Sequence, residues 1–97
     1  MLNLSADEFD VSGTEVFLAK FPELSHIHVR KHGALIILES GPEGDRRPHA
    51  RLRKVTKQWW TLEMPDHMER WNKTPHRALR NEVLQLLVDN YGWTLQP

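Results

Sequence analysis

The chain of 97 residues predicts an α+β fold: an antiparallel four- to five-stranded β-meander packed by a C-terminal helix and a short N-terminal helix. Three observations carry that expectation. The hydrophobic period changes to two after Ser25, and a Gly- and Pro-rich loop from Gly41 to Pro48 separates two hairpin-like stretches. The last quarter then returns to a helical period bounded by Pro75 and Gly92.

At the N-terminus, Ser5-Ala6-Asp7-Glu8 and Ser12-Gly13-Thr14-Glu15 both fit a capping box, in which a hydroxyl and a carboxylate each satisfy a free backbone N–H. The second leads into Val16, Phe17, Leu18, Ala19 and Phe21 and is stopped by Pro22. This predicts a helix over 13–21, although Val-Phe-Leu is also good strand material.

Ile27 and Val29 then alternate with His26, His28 and Arg30, and His32-Gly33 is a turn. Ala34 to Leu38 reads as a strand buried on both faces. A second hairpin opens with His49-Ala50-Arg51-Leu52-Arg53, where alternation turns Ala50 and Leu52 inward and His49, Arg51 and Arg53 outward. After a turn near Val55–Lys57, the strand Gln58–Met64 places Trp60, Leu62 and Met64 on the core side and Trp59, Thr61 and Glu63 on the other. Pro65 ends it, and Met68 to Trp71 suggests a short edge strand.

Thr74 is expected to cap the C-terminal helix, with Pro75 in its first turn. Leu79, Val83, Leu86 and Leu87 form its apolar stripe, which Leu84, Val88 and Tyr91 widen past a half-turn. Gly92 ends the helix, and Trp93 and Leu95 are expected to fold back over the core. A face that wide calls for two neighbours, either the sheet and the first helix or the sheet and a second copy of the chain in a homodimer.

The length suits a single domain over residues 1–97. Thirteen basic residues balance thirteen acidic ones, but unevenly along the chain. Asp7, Glu8, Asp10 and Glu15 make the start purely acidic, whereas Arg46, Arg47, Arg51, Arg53, Lys54 and Lys57 lie in a stretch without acid. The absence of cysteine excludes a disulfide framework, thiolate chemistry and Cys-ligated zinc. No apolar run reaches the roughly 18–20 residues needed to span a bilayer. A polar, acidic start gives no sign of a signal peptide, so a cytoplasmic location without a membrane role is expected.

The basic strand is the foremost candidate for function. Arg47, His49, Arg51 and Arg53, with Trp59 on the paired strand, form a set able to hold phosphates and stack a base. The competing reading pairs these arginines with Glu63, Glu39 or the acidic N-terminal segment on a solvated sheet face. His26 and His28, two apart on a strand, point to one face, a spacing that metal sites use, and His32 and His49 can approach across strands. No carboxylate stands beside them to complete a metal site, so no metal or other cofactor is expected. Asp66-His67-Met68-Glu69-Arg70 mixes acid, base and cation on a loop, the ingredients of RNA cleavage. Trp60, Trp71 and Trp93 are expected as core anchors, with Trp59 left for a helix, a partner or water.

The run from Ala50 to Met64, followed by Arg70-Trp71 and Thr74-Pro75, resembles a family of small uncharacterised bacterial proteins. In that family a basic strand, a turn, a Trp-bearing strand and a second Trp precede a C-terminal helix. The resemblance covers about half the chain, and neither the loop Gly41–Pro48 nor the doubled Trp59-Trp60 follows it. It implies a bacterial origin and a compact α+β fold, and it carries over no site residues.

The function expected is a small non-enzymatic binding or regulatory module that uses the face around Arg51, Arg53 and Trp59 on a protein or nucleic acid. A small ribonuclease or toxin using His and Arg side chains is the first alternative. A protein inhibitor or immunity-type partner is the second.

Overall fold

The computed structural model describes residues 4–68 and 70–97. Helix α1 (Glu8–Leu18) and a short 3₁₀ turn (Pro22–Leu24) precede strands β1 (His28–His32), β2 (Leu35–Ser40), β3 (Arg47–Lys54), β4 (Trp60–Pro65) and β5 (Trp71–Ala78). Helix α2 (Arg80–Tyr91) and a 3₁₀ turn (Gly92–Leu95) follow. The sheet is an antiparallel meander in the order β1-β2-β3-β4-β5, so the predicted α+β architecture is the one observed.

Both helices pack on one face. Phe17 and Leu18 of α1 and Val83, Leu84 and Leu87 of α2 share a single buried cluster with Ile36, Leu38, Ala50, Leu52, Trp60 and Leu62. The other sheet face carries no helix. No helix among the described residues is long and apolar enough to cross a membrane.

Three elements begin elsewhere than the sequence predicts. Asp7, rather than Ser5 or Ser12, caps α1: its carboxylate accepts the Asp10 N–H at 2.8 Å, and Asp10 accepts the Asp7 N–H at 3.0 Å. A carboxylate answering a carboxylate is tolerable because Asp10 also accepts from Lys54 Nζ at 3.0 Å and Arg80 Nη1 at 3.3 Å. The second box falls inside the helix, which ends at Leu18 instead of reaching Phe21. The edge strand expected at Met68–Trp71 instead begins at Trp71, with Met68 in the preceding turn and Glu69 outside the described residues.

The same strand displaces the expected start of the last helix. Thr74 and Pro75 lie within β5, an edge strand where a residue without an N–H is tolerated. Helix α2 starts five residues later than expected. Leu79 is its N-cap, and the Glu82 carboxylate accepts the Leu79 N–H at 3.1 Å. Gly92 follows its last turn as predicted. Leu95 is buried, but Trp93 is 73 % exposed and is not a core anchor.

Candidate functional site

The helix-free sheet face is built by register. Arg30 of β1 pairs across to Ile37, Ile37 to Arg51, Arg51 to Glu63, and Glu63 to Lys73. Arg53 lies opposite Thr61, and Thr61 opposite Arg77. Five cations, Arg30, Arg51, Arg53, Lys73 and Arg77, thus share the face with two carboxylates, Glu39 and Glu63. The remaining acids sit largely on the helices and loops, so a chain of zero formal charge presents one predominantly basic surface.

Glu63 organises the centre. Arg51 Nε donates to its Oε1 at 2.6 Å, and Arg53 Nε donates to its Oε2 at 2.7 Å. Burial, at 2 % exposure, opposes ionisation of this carboxyl. The hydrogen bonds from Arg53 and Arg51 outweigh it and hold the group below its ordinary value. One carboxylate cannot neutralise two guanidinium ions, so one positive charge is left over. Each arginine uses Nε for Glu63, and neither donates its terminal nitrogens to any described residue. At the far side of the face, Glu39 accepts from Arg30 Nε at 2.9 Å and from Nη2 at 3.4 Å.

Trp71 backs this arrangement. The Arg51 guanidinium lies 4.3 Å from its ring centroid, within cation–π range. Trp71 is half-buried on this face rather than a core anchor. Trp59, by contrast, lies in the turn before β4, where its N–H is accepted by Thr56 Oγ1 at 3.0 Å. It is exposed and joins none of these contacts. A cleft of about 800 Å³ opens beside the stack; Arg30, Ile37, Arg46, Arg51 and Trp71 are among its lining residues, and Glu39 and Glu43 put two carboxylates on its wall. Ile37 is buried there although no helix covers it, as expected for an apolar side chain flanked by the alkyl stems of two arginines.

His49 and Arg47 leave the predicted group. The β2–β3 register shifts between Leu38 and Glu39: Leu38 pairs with Ala50 and Glu39 with Pro48. His49 is therefore the extra residue of a β-bulge. Alternation fails at a bulge, and the ring turns into the structure, where it is 3 % exposed. Its Nδ1 lies 2.7 Å from the Thr94 carbonyl and its Nε2 2.7 Å from Ser40 Oγ. Arg47 Nη2 donates to the Gln96 carbonyl at 3.0 Å. His26 precedes β1, so it does not share a strand face with His28. It reaches the Leu95 carbonyl at 2.5 Å, and its ring stands edge-on to His49 at 5.8 Å. His28 and His32 stay exposed on β1. Among the described residues, no group of three His, Cys, Asp or Glu side chains is placed to hold a metal.

The polar loop is a staple. Asp66 accepts the N–H groups of Met68 at 2.8 Å and Arg70 at 2.9 Å, and also Arg70 Nε and Asn72 Nδ2. The Arg70 N–H leads the causes that lower its pKa to about 2, so it is an engaged carboxylate rather than a proton donor.

The arginine pair, its carboxylate and the free sheet face define the class of arrangement: a preorganised, net-cationic surface on an α+β meander. Compared with known proteins, the chain matches no family model, no curated protein and no solved structure.

Proposed function

We propose that the open sheet face binds single-stranded nucleic acid. The observation that carries this reading is the Arg51–Glu63–Arg53 cluster. Two guanidinium groups are held in place by one buried carboxylate, with their terminal nitrogens left for an anion. Guanidinium forks match phosphate geometry, and fixing them in advance removes much of the entropy cost of binding. Lys73 and Arg77 on β5 make no ion pair among the described residues and extend the cationic track. Trp71, half-buried on this face, supplies apolar surface beside the cations, as the aromatic rings of single-strand binders do for bases.

The test is a titration against short fluorescent RNA and DNA at low and moderate salt. The variants are Arg51→Ala/Arg53→Ala and Lys73→Ala/Arg77→Ala. The second pair is needed because removing both arginines strands Glu63. Binding should weaken steeply with salt. Removing the two β5 cations should flatten the log–log slope by about 0.7 for each phosphate that they neutralise. A folded protein that binds neither polymer at low salt overturns the reading and turns the search to an acidic protein surface.

A further inference from the structure

Ser40, the last residue of β2, meets the bulged His49 with Oγ 2.7 Å from Nε2. The other ring nitrogen, Nδ1, is 2.7 Å from the Thr94 carbonyl oxygen. A carbonyl oxygen only accepts, so Nδ1 carries the hydrogen. In the uncharged ring Nε2 then presents its lone pair, and the Ser40 hydroxyl donates to it. Nucleophile, base and an acceptor that fixes the tautomer of the base are the three parts that activate a serine hydroxyl. Here a backbone carbonyl does the orienting. A buried ring nitrogen needs a partner, so the hydroxyl also satisfies Nε2, and only its reactivity separates that structural role from a nucleophile's.

Ser40 and His49 are both buried, and Ser40 alone of the two lines an opening. A cleft of about 350 Å³ is lined by His26, Ser40, Gly41, Asp45, Arg47 and Pro97, large enough for a short acyl group. Arg47 places a cation at its wall, the charge that suits an oxyanion.

We propose that Ser40 is an acylatable nucleophile with His49 as its general base, acting on small carboxylic esters. Ser40 Oγ forms a bond to the ester carbonyl carbon while its proton passes to His49 Nε2. The imidazolium returns that proton to the departing alcohol as the ester C–O bond breaks. Water, giving a proton to the same nitrogen, then bonds to the acyl carbon; the acyl C–Oγ bond breaks, the imidazolium protonates the leaving Oγ, and the carboxylic acid is released with the serine restored. The balance needs water alone.

The charged and titratable groups around the pair are His26, Arg47 and Asp45. Burial, with smaller contributions from Arg47 and His26, pushes His49 below the ordinary histidine value, which keeps the ring in its basic form at neutral pH.

The experiment incubates the full chain with a fluorophosphonate probe and reads intact mass and the labelled peptide. One adduct on Ser40 is expected, absent in Ser40→Ala and formed about 10²-fold more slowly in His49→Gln. In the wild type, which needs no variant to fold, the labelling rate should rise with pH through one ionisation below 6.5. No adduct on Ser40 overturns the proposal. So does a rate that is flat across the histidine range, or labelling of a folded His49→Gln at the wild-type rate.

Discussion

The Arg51 guanidinium lies 4.3 Å from the centre of the Trp71 ring while its Nε donates to Glu63 at 2.6 Å. Arg51 is thus fixed from two sides, by a ring and by a carboxylate. Arg51→Lys keeps the charge but loses the planar stack and the fixed fork, and should lower stability by about 1 kcal/mol. Denaturant unfolding of Arg51→Lys, Trp71→Ala and the double variant should give a coupling of about 0.5–1 kcal/mol. Additive effects would mean that the stack contributes nothing.

Stability should fall in two acid steps. His49 is held below its ordinary value in the folded chain, chiefly by burial, so the unfolded chain takes up its proton first. The stabilisation is complete above 6.5 and declines as the pH falls through that value toward the folded pKa. Asp66, lowered from 3.8 to about 2 by the Arg70 N–H above all, contributes stability that is lost between those two values. Urea midpoints measured across pH should show both steps, and His49→Gln should remove only the first.

Gly13 lies against Arg80, and a Cβ there would overlap the guanidinium. Gly-to-Ala changes inside helices ordinarily stabilise by about 0.5–1 kcal/mol. Here the new methyl displaces Arg80 Nη1 from Asp10, so Gly13→Ala should destabilise by about 1 kcal/mol. In an Arg80→Ala background the sign should reverse to the ordinary gain. Thermal melts of the four proteins decide it.

Leu95 and Trp93 lie two residues apart in one 3₁₀ turn but in opposite environments. Leu95→Ala should cost about 2–4 kcal/mol, because it empties a site in the core. Trp93→Ala should stay within about 0.5 kcal/mol, as exposed substitutions do. Equal losses would mean that the tail is held otherwise than by its buried leucine.

The meander was legible because its cues are local. Two-residue alternation in β1, β3 and β4, the His32-Gly33 turn and the apolar run of β2 each depend on neighbouring residues. The pairing of Arg51 and Arg53 with Glu63, and of Arg30 with Glu39, was also within reach, because alternation across an antiparallel ladder puts those side chains on one face. The Thr74-Pro75 signal failed for a different reason. A threonine followed by proline suits a helix start, but it also suits an edge strand, and only the pairing of β5 with β4 decides between them.

By itself, then, the sequence determined the class of fold, most of the strands and the basic character of one sheet face, all properties of short periods and near neighbours. Tertiary structure decided which aromatic ring backs Arg51. It also decided that a bulge turns His49 inward onto Ser40, and that three successive carbonyls of the tail rest on His49, His26 and Arg47. The physical reason is that a bulge reverses every inference from alternation beyond it, and whether a bulge forms is set by the partner strand. Contacts between residues 49 and 94 depend on how the whole chain closes, which no local window contains.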